Sequence, residues 1–250
     1  MNNKKAFYAS ISKYYDYIFP FNSSQANFVK NLIQEENITS ILDVGCGTGN
    51  LALELARENK PVFAIDSDEE MILTAIDKKR GMGLDQYPQF RELDMESLSG
   101  FFDGEQFDLA ICFGNTLPHL LSYENIENFF KVVSYVLKKN AHLTIQILNY
   151  DYILENQIEA LPVIDNDYVR FERYYDYPEN SEFIEFSTKL TVKGEDKIIE
   201  NSISLFPIQK LDLKFMLEDS GFGDVYFYGD FDKTPLKKGH LPLVVKCKKK

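Results

Sequence analysis

The chain has 250 residues and a formal net charge of −12, and part of its positive charge sits in the terminal Lys248, Lys249 and Lys250. Unassisted nucleic-acid binding needs a basic surface to neutralise phosphates, so this balance argues against a nucleic-acid partner. With 44% hydrophobic and 14% aromatic residues the chain can fill a core, and its length suits one large domain or a domain plus a lobe.

At the N-terminus, Lys4 and Lys5 begin like a signal peptide, but Ser10, Ser12, Lys13 and Asp16 interrupt the apolar run that such a segment needs. Residues 24–36 carry Ala26, Val29, Leu32 and Ile33 at helical spacing, with Ser23 or Ser24 as the expected cap. Short apolar runs then alternate with helical patterns. Ile41–Val44 precedes a helix with Leu51, Leu55 and Ala56, and Val62–Ile65 precedes one with Met71, Ile72, Ala75 and Ile76. A weaker run at Phe90–Leu93 is followed by Phe107–Phe113, a helix with Ile126, Phe129, Phe130, Val133 and Val136, and a fifth strand at His142–Leu148. Strands alternating with helices predict a mostly parallel sheet covered on both faces. Residues 168–206 change to period two, with Gly194-Glu195-Asp196 as a turn, which predicts an antiparallel β ribbon inserted into the α/β domain. A helix near 208–219 ends at Gly221, and strands at Val225–Tyr228 and Leu241–Cys247 close the chain. Cys46, Cys112 and Cys247 form no CxxC and no metal-ligand pattern, so no metal is expected. No stretch approaches the roughly 18 apolar residues of a membrane span. A soluble, reducing, cytoplasmic setting without membrane contact is the expectation.

The segment ILDVGCGTGN, residues 41–50, has an acid at Asp43 and glycines at Gly45, Gly47 and Gly49. The dinucleotide fingerprint G-x-G-x-x-G would need glycine where Asn50 stands. Asp43 would repel a pyrophosphate but attract an ammonium group, while backbone N–H groups at a helix start can hold a carboxylate. The local electrostatics therefore favour a zwitterionic amino-acid tail. About 20 residues on, Asp66 ends the second strand, where a carboxylate can accept ribose hydroxyls; Ser67 or Asp68 is left to cap the next helix. Met71 lies near an adenine or simply in the core. Asp94-Met95 ends the third strand, where a carboxylate can take an adenine amino group.

ILDVGCGTGN, AIDSDEEM, ELDMESL and FDLAICFGN, in that order, resemble the successive motifs of class I S-adenosylmethionine-dependent methyltransferases over roughly residues 38–148, with a weaker match in LKFMLEDSGF. The resemblance implies a Rossmann-like, doubly wound seven-stranded sheet whose last strand is antiparallel. It implies S-adenosylmethionine as cofactor and S-adenosylhomocysteine as its product. It also implies a donor site at Asp43, Gly45, Cys46, Gly47, Gly49, Asp66, Ser67, Met71, Asp94, Met95, Phe113 and Gly114. Residues 1–37 are then a helical lid, 38–150 the donor-binding core, 151–207 an inserted antiparallel substrate lobe and 208–250 the rest of the core.

FGNTLPHL (113–120), NYDYIL (149–154) and GDFDKTP (229–235) resemble the glycine N-methyltransferase group. That resemblance implies a small-molecule methyl acceptor, with Gly114 and Asn115 facing the methyl donor and helping to hold an amine. YYDYIF resembles the group's N-terminal lid, which singles out Tyr15. His119 is the nearest histidine, a base for the amine or a packing residue. In the group an arginine precedes NYD and binds the substrate carboxylate; here that position is Leu148, which predicts poor use of glycine unless Arg170 or Arg173 supplies the charge. O-methylation and a non-catalytic, S-adenosylmethionine-binding regulator are the alternatives.

Overall fold

The computed structural model describes residues 3–104 and 106–250, with side chains from residue 6 onward. The side chains of Lys4 and Lys5, where the sequence begins like a signal peptide, lie outside those described. Two short helices open the chain, α1 (Asn3–Ile11) and α2 (Tyr15–Ile18), followed by α3 (Ser23–Glu35). The cap of α3 is Asn22, not Ser23 or Ser24: its Oδ1 accepts from the N–H groups of Ser24 and Gln25. An amide oxygen one residue earlier reaches both orphan donors of the first turn.

Next come β1 (Ile41–Val44), α4 (Asn50–Ala56), β2 (Val62–Asp66), α5 (Glu69–Gly81), β3 (Gln89–Glu92), α6 (Leu98–Phe101), β4 (Phe107–Cys112), α7 (Tyr123–Val136) and β5 (Leu137–Leu148). All four residues of β1 are buried, as a central strand between two helical layers requires. The helix after β2 is capped by Asp68, whose Oδ1 accepts from Met71 N–H. The fifth strand begins five residues earlier than its apolar run, because Leu137 pairs with Phe107 and Lys138, Lys139 and Asn140 then bulge out of register before His142 pairs with Leu109, with Asn140 left-handed at φ 63°.

After α8 (Tyr150–Glu155) the chain builds a separate antiparallel sheet from β6 (Ile164–Asp165), β7 (Val169–Asp176), β8 (Ile184–Val192) and β9 (Lys197–Leu205). It then returns through α9 (Lys210–Asp219), β10 (Phe222–Tyr228) and β11 (Pro242–Lys249). The main sheet has seven strands in the order β10-β11-β5-β4-β1-β2-β3, with β11 antiparallel to β5. This is the Rossmann-like sheet with an antiparallel last strand, and the strand order reverses between β1 and β4, where α/β sheets open a crevice at their carboxyl ends. The buried face of the second sheet packs on the N-terminal helices: Phe7 meets Phe186 (6.1 Å between ring centres) and Phe19 meets Phe171 (5.9 Å). Among the described residues no helix is long and apolar enough to cross a membrane.

Candidate active site

The loop after β1 turns on three glycines with left-handed φ: 74° at Gly45, 54° at Gly47 and 78° at Gly49. They answer to different neighbours. A Cβ on Gly45 would strike the Thr116 side chain at 2.6 Å, and one on Gly49 would strike the Phe90 ring at 2.6 Å. Those two serve packing between the loop and the sheet. Gly47 lies under the ring of Tyr15, 3.2 Å from where its Cβ would be. Its N–H donates to Asp66 Oδ2 at 2.8 Å, while Asp66 Oδ1 accepts from Asp68 N–H at 3.0 Å. Asp66 thus ties the glycine loop to the end of β2.

Beside this loop lie two cavities. The larger, about 580 Å³, falls within the usual size of a small-molecule site. Asp43, Gly45, Cys46, Phe113, Gly114, Asn115, His119 and Tyr15 line it, together with residues of the N-terminal helices and the second sheet. The smaller, about 60 Å³, is lined by Gly47, Asp66, Ser67, Met71 and Met95. Tyr8, Tyr15, Gly45, Phe113, Gly114 and His119 border both and form the wall between them. Two expected site residues line neither. Gly49 starts α4, and Asp94 is exposed, its Oδ1 accepting from Glu96 N–H at the head of the short 3-10 turn Met95–Ser97.

Asp43 is 3% exposed, and no side-chain cation pairs with it among the described residues. Burial, and after it the neighbouring Asp66 carboxylate, pushes its pKa up to about 7. A buried carboxylate without a counter-charge fits a cationic ligand group. Burial and then Asp66 also raise the pKa of Tyr15, so its hydroxyl stays protonated at neutral pH. Tyr8 Oη and His119 Nε2 share a hydrogen bond of 2.8 Å.

Asn115 is left-handed at φ 62°, a conformation asparagine tolerates better than most residues. Its Nδ2 donates to Tyr150 Oη at 3.0 Å, and its Oδ1 accepts from Leu148 N–H at 3.0 Å. The Tyr150 hydroxyl also reaches Asn115 Oδ1 at 3.3 Å, so the amide clamps the β4 loop to the end of β5 with one N–H remaining. The Gly114 N–H donates to Gln146 Oε1 at 2.9 Å.

Sequence reasoning missed Tyr8, Asp16, Gln146 and Tyr175. Tyr8 carried a signal, since it stands seven residues before Tyr15. Asp16 fastens the N-terminal helices to the glycine loop: its Oδ1 accepts from the Thr48 hydroxyl (2.6 Å) and from Asn50 Nδ2 (2.9 Å), and Lys78 pairs with its other oxygen.

Residues 41–140 match the family model described as a methyltransferase domain. The chain is 26% identical over 226 residues to a glycine/sarcosine N-methyltransferase of Aphanothece halophytica, covering 85% of this chain and 77% of that one. It is 31% identical over 132 residues to a glycine/sarcosine N-methyltransferase of Parasynechococcus marenigrum, spanning 53% of this chain and less than half (46%) of that relative. Residues 41–140 thus match a methyltransferase domain, and the chain resembles the class I S-adenosylmethionine-dependent methyltransferases. A crystal structure of an S-adenosylmethionine-dependent methyltransferase from Clostridium acetobutylicum shares this chain's fold, with a TM-score of 0.80 at 20% identity over 97% of this chain and 99% of that one. The cofactor is S-adenosylmethionine, and Asp43, a buried acid with no counter-charge, suits its positive end.

Proposed function

We propose that this methyltransferase acts on a small molecule, at an amine nitrogen. The observation that carries the reading is the 580 Å³ cavity, which joins the glycine loop to an acceptor side walled by the second sheet and the N-terminal helices. Such a space suits a metabolite-sized acceptor, and the net charge of −12 opposes a nucleic-acid one. The names of the curated relatives, glycine/sarcosine N-methyltransferases, support nitrogen as the target. On this reading residues 1–37 are the lid and 151–207 the substrate lobe.

When bound, the donor supplies a methyl group on a sulfonium, which leaves without further activation. The chain's work is to align the nucleophile, keep it unprotonated and exclude water; alignment contributes up to about 7–11 kcal/mol. Asn115, braced by Tyr150 and Leu148, holds the amine with its remaining amide capacity. The carbonyl oxygens of Phe113 and Gly114 orient the methyl group through weak C–H···O contacts. The Tyr8–His119 pair takes the amine's proton. Tyr15 closes over the glycine loop, and Asp43, Gly45, Cys46, Gly47, Asp66, Ser67, Met71 and Met95 serve the donor.

Release of S-adenosylhomocysteine across a panel of small amines and of hydroxy compounds lacking nitrogen tests the reading. Turnover by amines alone is expected. Turnover confined to the hydroxy compounds would replace it with O-methylation, and donor binding without any turnover would make the protein a sensor.

A further inference from the structure

Strand β7 alternates between two faces. Val169, Phe171 and Tyr175 point to the buried side, while Arg170 and Tyr174 are exposed. Arg173 stands in the buried series and lines the larger cavity. Its outward neighbour Arg170 is neutralised, bonded to Asp165 at 2.9 Å and to Glu172 at 3.4 Å. Arg173 has no such partner: among the described residues no carboxylate lies within ion-pair distance. Its Nη2 donates to the Pro162 carbonyl at 2.7 Å, and its Nε is buried with no hydrogen-bond partner. Directly opposite across the β7–β8 ladder is Thr188, 3% exposed, whose Oγ1 is also buried and unpartnered. Opposed residues of an antiparallel pair share a face, with Cβ atoms about 4.5–5.5 Å apart. Two unsatisfied donors therefore sit side by side on the buried face of the second sheet, Arg173 at the cavity and Thr188 behind it. Burial without an anion also lowers the Arg173 pKa. Burying a lone guanidinium beside a lone hydroxyl is costly, and a ligand that accepts from both removes the cost.

We propose that Arg173, backed by Thr188, anchors an anionic group of the methyl acceptor, so that the acceptor is an amine bearing a carboxylate. This rests on the reading of the protein as an amine methyltransferase. One guanidinium and one hydroxyl balance a monoanion, and the planar fork matches a carboxylate. The cation that Leu148 fails to supply at the end of β5 comes instead from the inserted sheet. Of the two arginines the sequence left open, Arg170 is consumed by its own acids.

The test separates this proposal from the reading beneath it. Protein loaded with S-adenosylhomocysteine is melted with glycine, sarcosine and β-alanine, with their amides, and with inorganic phosphate, as wild type, Arg173→Met and Arg173→Lys. The acids should raise the melting temperature of the wild type, the amides should not, and Arg173→Met should lose the effect. Arg173→Met should melt no lower than the wild type without acceptor, because it removes a costly burial. For any acid that is methylated, Arg173→Met should lose about 100-fold or more in kcat/KM, and Arg173→Lys should recover part of it. Donor affinity should stay within about twofold, since Arg173 is assigned to the acceptor and not to the donor. No shift with any acid, an equal shift with the amides, or a shift that survives in Arg173→Met would overturn the proposal. A larger, Arg173-dependent shift with phosphate would overturn the carboxylate assignment. The amine reading fails separately, if no amine releases S-adenosylhomocysteine from the wild type.

Discussion

On the proposed reading, Asp43 sets the electrostatics of the donor side. Folding raises its pKa to about 7, above the ordinary carboxylate value, so the folded protein holds a proton that the unfolded chain has lost between about pH 4 and 7. Stability without ligand therefore falls across that window, and the penalty is full above pH 7. A cationic ligand reverses the balance by favouring the carboxylate. Donor affinity measured by calorimetry should rise about tenfold from pH 6 to pH 8 in the wild type and stay flat in Asp43→Asn. At pH 8 the variant should be at least as stable as the wild type before ligand is added. An equal pH dependence in both proteins would remove Asp43 from donor binding. Asp66 needs a gentler probe, because its two oxygens already hold Gly47 and Asp68. Asp66→Asn should weaken donor binding by about 1.5–3 kcal/mol, the size of a charge-assisted hydrogen bond; unchanged affinity would leave it as a brace of the loop. Asn115→Ala should lower kcat/KM far more than donor affinity, and should also cost about 1–3 kcal/mol of stability by orphaning Tyr150 and the Leu148 N–H. Equal loss of donor affinity would place Asn115 on the donor instead. The acids at strand ends were legible as candidates, but the direction each carboxylate faces was not. Asp94 shows why: the turn that begins at the next residue supplies the Glu96 N–H that its side chain takes.

At the scale of elements, the N-terminal helices carry the main dynamic expectation. A ligand spanning both cavities must shift the wall of Tyr8, Tyr15 and His119, since the 60 Å³ space is far below the roughly 300–1,000 Å³ of small-molecule pockets. Asp16 is the fastening, through Thr48, Asn50 and Lys78. Asp16→Ala should raise amide hydrogen exchange in residues 6–18 and weaken donor affinity severalfold without unfolding the core. Unchanged exchange would mean that the aromatic contacts with the second sheet hold the N-terminal helices alone. The glycine loop was legible because three left-handed positions leave a mark in the sequence. The true start of β5 was hidden by Lys138, Lys139 and Asn140, polar residues in a bulge between two paired stretches of the strand. The Tyr8–His119 bond and the Arg173–Thr188 row join segments far apart in the chain; alternation shows a residue's face, and only register shows its partner.

For the whole molecule, the alternation of strands and helices foretold the main sheet, and the change to period two foretold the second one. What periodicity could not supply was the way the second sheet and the N-terminal helices meet over the carboxyl ends of β1, β4 and β5 to enclose one cavity. On the proposed reading, that enclosure is an S-adenosylmethionine site opened on its far side to a small amine. The most direct measurement follows the methyl group itself. The protein is incubated with S-adenosylmethionine carrying a 13C-labelled methyl group and a mixture of small amines, and the products are read by NMR and mass spectrometry. One labelled methyl on a nitrogen is expected for each S-adenosylhomocysteine formed. A label that stays on the donor, or appears on oxygen, would contradict it.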